Sequence, residues 1–292
     1  MGARRRRVLG ILADGDVDEL AALATRCQAA DGGLPLTAEP AFVRRRWTAD
    51  GSTVRLGRDA GGRLVAAAGV RISGDTATVA TLVDPAARVG DHAAELLDWG
   101  LRDAAARAGT TVVETEALTP EQAALFADRG LRQVFAEDVL RIDLTSPVAP
   151  PSRPEGAILH TWSEATAARF FAVYEAAFRE RPGFPGLPAA DWIAGLEDDD
   201  GFRPEASLLV ELPGLGDAGF VTAAVGWIDQ VGVVPEARGR GLGSALTAES
   251  LARLRADGDD EAWLNVNVDN PAKAVYLRLG FVVAARRARF AA

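Results

Sequence analysis

Apolar residues recur along the chain with two spacings, and each predicts an element. Around 166–178 they return at helical intervals, with Phe170 and Val173 on one face and Ser163 or Thr166 as caps. Leu246, Leu251 and Leu254 repeat that spacing and predict a helix over 242–256. Short apolar or alternating runs predict strands at 157–162, 207–211, 218–224, 227–234, 262–268 and 281–290. Shorter helices are expected at 189–196 and 271–279. The segment RERPGFPGLP, 179–188, is too rich in proline and glycine for regular structure.

The same order is written twice. A shift of 150 residues carries Leu20 and Leu23 onto Phe170 and Val173, Pro35 onto Pro185, and Gly69 onto Gly219. It also carries Pro85 onto Pro235, Arg88 onto Arg238, Gly130 onto Gly280 and Leu131 onto Phe281. A repeat this long predicts two copies of a domain, 1–145 and 157–292. The proline-rich stretch 146–156, SPVAPPSRPEG, reads as a semi-rigid linker between them.

A length of 292 residues suits two domains, and 48% apolar residues supply their cores. The net charge of -9 argues against nucleic acid as a partner, because phosphate contacts need a basic surface. A single cysteine, Cys27, cannot form an internal disulfide, so a reducing, cytoplasmic setting is expected. With His92 and His160 the only histidines, no zinc site is expected. No apolar run is long enough to span a bilayer, and the basic run from Arg4 to Arg7 reads as a solvated terminus.

The most informative stretch is QVGVVPEARGRGLGS, residues 230–244. Its strand is stopped by Pro235, which has no N–H to donate. Arg238, Gly239, Arg240, Gly241, Leu242, Gly243 and Ser244 then lead into the helix at 242–256. Free N–H groups at a helix start, glycines that admit close approach, and two arginines predict a phosphate or pyrophosphate cradle. No lysine stands where a Walker A loop needs one. A dinucleotide fingerprint would require glycine where Ser244 stands.

The pattern V-x-V-x-P followed by R-G-x-G-x-G resembles the acetyl-CoA-binding motif of the GCN5-related N-acetyltransferase (GNAT) family. The later stretch NVDNPAKAVYLRLGF, 267–281, resembles that family's second cofactor motif, with its Y-x-x-x-G-F part intact. Its front is one residue short, since Asn270 stands six positions before Tyr276 and not seven. Asn270 followed by Pro271 also reads as a helix cap. The resemblance implies an α+β fold of two tandem GNAT-like domains, each a mixed, mostly antiparallel sheet flanked by helices. It implies that Val231 and Val233 offer backbone groups to pantetheine, that Arg238 to Ser244 hold the pyrophosphate, and that Tyr276 protonates the departing thiolate. Gly232 within that strand signals a bulge or a close backbone approach. Asp229 is a rare acid on a central strand and the candidate base, sharing a face with Trp227, Val231 and Val233 by strand alternation. Asn265 and Asn267 alternate with apolar residues on the next strand and are candidates to line the acyl site.

The first copy lacks most of this chemistry. Opposite the cradle stands RVGDHA, with Asp91 at the position of Gly241; Phe126 stands opposite Tyr276, and Pro120 opposite Asn270. One acetyl-CoA per chain, bound in the second copy, is therefore expected. The tandem arrangement resembles the mycothiol synthase family. That family's acceptor-binding acid would fall at 181–183, where Gly183 stands, its lysine near Ala223, and its base near Trp227. The expected reaction is transfer of acetyl from acetyl-CoA, as cosubstrate and without a metal, to a primary amine on a small molecule or peptide. No nucleic-acid or membrane partner is expected, and the chain is expected as monomer or homodimer. Two alternatives stay open: an acetyl-CoA sensor without turnover, and a dinucleotide-binding oxidoreductase.

Overall fold

The computed structural model describes residues 7–9, 14–88, 91–148, 154–181 and 183–292. Arg4 to Arg6, the linker centre at 149–153 and Pro182 lie outside the described residues. The chain divides into two compact units, one of residues 1–139 and 284–292, the other of residues 140–283.

The first unit contains β1 (Arg7–Leu9), α1 (Asp14–Asp31), α2 (Pro40–Trp47), β2 (Thr53–Arg58), β3 (Leu64–Ser73) and β4 (Thr76–Val83). It continues with α3 (His92–Ala105), β5 (Thr110–Thr115), α4 (Pro120–Ala127) and most of β6 (Arg132–Asp143). β2, β3 and β4 form an antiparallel meander, and β5 lies parallel to β4. α1 buries Val17, Leu20 and Leu23 against this sheet at three-residue intervals, Leu20 and Leu23 being the apolar face read from the sequence.

The second unit repeats the order with β7 (Ile158–Thr161), α5 (Ala167–Phe178), α6 (Ala189–Glu197), β8 (Leu208–Leu212), β9 (Gly216–Ala224) and β10 (Trp227–Val233). Then follow α7 (Leu242–Ala256), β11 (Glu261–Asn267), α8 (Lys273–Arg278) and the start of β12 (Val282–Ala291). β7 to β10 are successively antiparallel. α5 buries Phe170, Val173, Tyr174, Ala177 and Phe178. Tyr174 stacks on Trp192 of α6 at 4.8 Å between ring centres. Each such side chain, taken from water, stabilises the unit by about 1.5–3 kcal/mol.

Each unit's last strand comes from the other repeat. The end of β12 pairs with β5, from Ala288↔Thr115 to Ala291↔Val112, and Phe290 meets Phe126 edge-on at 4.9 Å. In the second unit, Leu140, Ile142 and Leu144 from the end of β6 join the core. This exchange puts the unit boundaries at 139/140 and 283/284, where the sequence repeat alone suggests 145 and 157. The 150-residue offset carries α3 onto α7 at their first residues, but Leu208 opens β8 where the offset from Thr53 leads to 203.

Candidate active site

The site is built where β10 leaves β11. The two parallel strands are registered only at Trp227↔Trp263. Beyond that pair, Val231, Gly232 and Val233 remain bonded to Val221, Phe220 and Gly219 of β9. Their edge toward β11 is thus open to a ligand that adds as a strand. In the first unit β4 and β5 stay paired longer, from Thr76↔Thr110 through Ala80↔Glu114, and their register ends just before Thr81, the position that the 150-residue offset carries onto Val231.

The bulge of β10 lies at Asp229, where the register with β9 shifts between Ile228 and Gln230. Gly232, the other candidate for a bulge, keeps its register. It is glycine because a Cβ there would lie 2.5 Å from the Phe220 ring and 3.0 Å from Ala177 Cβ. The extra residue ends the simple alternation read from the sequence. Ile228, Asp229, Gln230 and Val231 all line one cavity, of about 290 Å³. Asp229 opens to solvent through this cavity. Loss of hydration among the surrounding walls nevertheless raises its carboxyl pKa; a contact from Thr222 Oγ1 at 3.5 Å opposes the rise, and Asp199 adds to it.

A second cavity, of about 490 Å³, runs beside Val231, Gly232, Val233, Arg238 and Gly243. Gly239 and Gly241 have φ of +77° and +79°, the left-handed region that glycine enters without strain. Gly241 is the N-cap of α7, and no side chain caps it, which leaves the first-turn N–H groups for an anion. Leu242 points into the core and contributes backbone only. Arg240 bonds the Glu236 carbonyl at the surface, and Ser244 follows in the first turn of the helix. Arg238 is anchored to the carbonyls of Val233 and Ala177, so it ties α5 to β10.

The two cavities share Phe178, Arg181, Val231, Asn270 and Tyr276. Tyr276 on α8 is 9% exposed, and burial pushes its phenol up to about 12, with Arg181 opposing. At neutral pH it is a protonated acid. α8 starts at Lys273, two residues later than expected, because Asn270 Oδ1 accepts from the Ala272 N–H at 2.9 Å and makes a turn of its own. Asn270 still reaches both cavities despite the shortened motif. Asn265 lines the smaller cavity, while Asn267 is exposed and bonds the Asp269 N–H. Sequence reasoning missed Gln230, whose side-chain oxygen, like that of Asn265, is buried on the cavity wall without a partner among the described residues. It also missed the part played by Tyr174 and Phe184, from α5 and the proline-rich loop.

A strand parted from its neighbour, a glycine-rich turn opening a helix, and a terminal tyrosine helix define a fold class of acyl-group transferases. The acetyltransferase (GNAT) family model matches residues 161–281. A mycothiol acetyltransferase of Actinosynnema mirum is 32% identical over 277 residues, covering 90% of this chain and 91% of that protein. One of Salinispora arenicola is 34% identical over 174 residues, an alignment spanning 56% of each chain. The solved structure of a GCN5-related N-acetyltransferase from Sphaerobacter thermophilus superposes with a TM-score of 0.75 at 25% identity, covering 98% of this chain and 95% of that one. The chain belongs to the GNAT family, as a tandem member that resembles mycothiol synthase.

Proposed function

We propose that the second unit transfers the acetyl group of acetyl-CoA to a primary amine by direct attack. The observation that carries this reading is the meeting of two cavities at Tyr276. The larger cavity suits the pantetheine arm and leads to the open α7 N-terminus, which suits the pyrophosphate. The smaller one receives the amine. Acetyl-CoA supplies an activated thioester. The free edge of Val231 to Val233 orients it by strand addition. Asp229 accepts a proton from the incoming ammonium, directly or through water, and Tyr276 gives one to the departing sulfur.

The relatives' names point to an amine of mycothiol formation. In this chain, Arg181 and Gly183 line the smaller cavity where an acid is expected in that family, and Ala223 is buried. A different amine is therefore the better reading. Calorimetric titration of acetyl-CoA followed by thiol release with a panel of primary amines tests the proposal. Binding near one per chain with amine-dependent thiol release supports it. Binding without release from any amine would leave the sensor reading in its place.

A further inference from the structure

Arg181 follows the end of α5, on the wall that the two cavities share. Its guanidinium lies 4.0 Å from the centre of the Phe178 ring. Among the described residues it makes no ion pair and no side-chain hydrogen bond. Arg169 and Arg238 of the same unit instead hold a carboxylate and a backbone carbonyl. Incomplete hydration lowers the pKa of Arg181, and Arg238 nearby adds to that, while the phenols of Tyr276 and Tyr174 act the other way. A guanidinium so placed is a charge-assisted donor fork waiting for an acceptor.

The donor substrate has no anion to offer at this point. Its phosphates belong at the α7 N-terminus, and the thioester and pantetheine amides next to Tyr276 are uncharged. The other walls of the smaller cavity suit a cation and N–H donors, through the Asp229 carboxylate and the side-chain oxygens of Gln230 and Asn265, which have no partner among the described residues. One cavity thus carries an acid for an ammonium group and a free arginine for an anion.

We propose that the amine acceptor is zwitterionic, an amine that also bears a carboxylate or similar anion, and that Arg181 selects it by binding that anion. The inference rests on the acetyl-transfer reading above and narrows its acceptor class.

The test uses matched pairs of amines, namely amino acids and dipeptides each beside its C-terminal amide, with thiol release as the readout. Amide formation lowers the basicity of the neighbouring amine and raises its free-base fraction, so a preference for the acid cannot come from amine reactivity. Wild type is expected to favour the carboxylate member by about 10- to 100-fold in kcat/KM, the range of one charge-assisted hydrogen-bonded contact. Arg181→Met is expected to erase that preference through KM and Arg181→Lys to keep part of it, with any change in acetyl-CoA affinity smaller than the change toward the acceptor. Equal or better use of the amides overturns the proposal, as does turnover of neither member of any pair by a protein that binds acetyl-CoA. A loss of acetyl-CoA affinity in Arg181→Met as large as its loss toward the acceptor would make Arg181 a donor-site residue and also overturn it. Wild type that fails to bind acetyl-CoA at all would instead remove the underlying acetyl-transfer reading, a result visible before any amine is added.

Discussion

Asp31 and Arg88 of the first unit form a two-pronged ion pair across the mouth of its cleft. One repeat later the same two positions are Arg181 and Arg238, both cations. The charge of Arg88 is thus neutralised by Asp31 within the first cleft, while Arg181 and Arg238 face each other as two cations with no carboxylate between them among the described residues. The loss of the glycine turn in the first repeat agrees with this difference. Asp91 there precedes α3 and adds a negative charge where the second unit has the bare Gly241 cap.

Copying that change into the second unit should abolish donor binding. A Cβ at Gly241 would meet nothing within 4 Å, so Gly241→Ala is sterically free but must hold φ of +79°. That conformation costs a non-glycine residue about 1–2 kcal/mol. Gly241→Asp adds like-charge repulsion toward a pyrophosphate. Calorimetry is expected to show one acetyl-CoA per chain for wild type, weaker binding for the alanine variant and none for the aspartate variant. Two per chain would restore the first cleft as a donor site.

Tyr276→Phe should separate binding from turnover. The first repeat already carries Phe126 at this position, buried and packed, so the ring without its hydroxyl is compatible with the fold. Loss of the general acid is expected to lower kcat by about 10²- to 10⁴-fold while acetyl-CoA still titrates. With the phenol pushed up to about 12, its ionisation should cause no alkaline loss of activity below about pH 10. An unchanged kcat in the variant would remove Tyr276 from the chemistry.

Asp229→Asn should act in opposite directions on rate and stability. The folded carboxyl has a raised pKa, so its ionisation disfavours the folded state. This cost is absent below the ordinary aspartate range, grows as pH rises through the folded pKa, and is complete above it. The variant is therefore expected to unfold at a higher temperature than wild type near pH 7, with the gap closing toward about pH 3. Its kcat/KM should fall, and the acidic limb of the wild-type pH profile should vanish with it. A limb that survives in Asp229→Asn would assign the base elsewhere.

Local pattern carried most of the fold. α7 begins and ends at the residues expected, because Gly241 and the turn before it fix its start. The two C-terminal strands were also recognisable, yet their exchange between units was not. The sequence 281–290, and its counterpart one repeat earlier, read as ordinary strands, and nothing local to a strand names its partner. In the site, the motif residues were legible because turns, caps and glycines leave spacing signals. The Asp229 bulge was not, since one extra residue leaves the surrounding apolar pattern almost intact, and the glycine that signals either a bulge or a close approach, Gly232, marks the close approach. Arg181 lay in a loop whose composition announces irregular structure and nothing about direction.

Gly232 offers a test of the packing that holds the open strand. Its missing Cβ makes room for the Phe220 ring, which is fully buried and meets Phe170, Tyr174 and Trp192 edge-on. A ring locked on three sides cannot swing aside to relieve a 2.5 Å approach, and on the helix side Ala177 lies at 3.0 Å. Gly232→Ala must then push β10 away from α5 or tilt the cluster. The expected cost is about 1–3 kcal/mol in chemical unfolding, the range for overpacking a close-packed core. Because Val231 and Val233 flank this residue on the larger cavity, the same shift should weaken acetyl-CoA binding. The double variant Gly232→Ala with Phe220→Leu removes the ring that the new methyl strikes. If the clash is the cause, the alanine should destabilise less in the Phe220→Leu background than in wild type, and donor binding should recover in step. Equal costs in both backgrounds would place the penalty in the backbone of β10 instead of in its contact with Phe220.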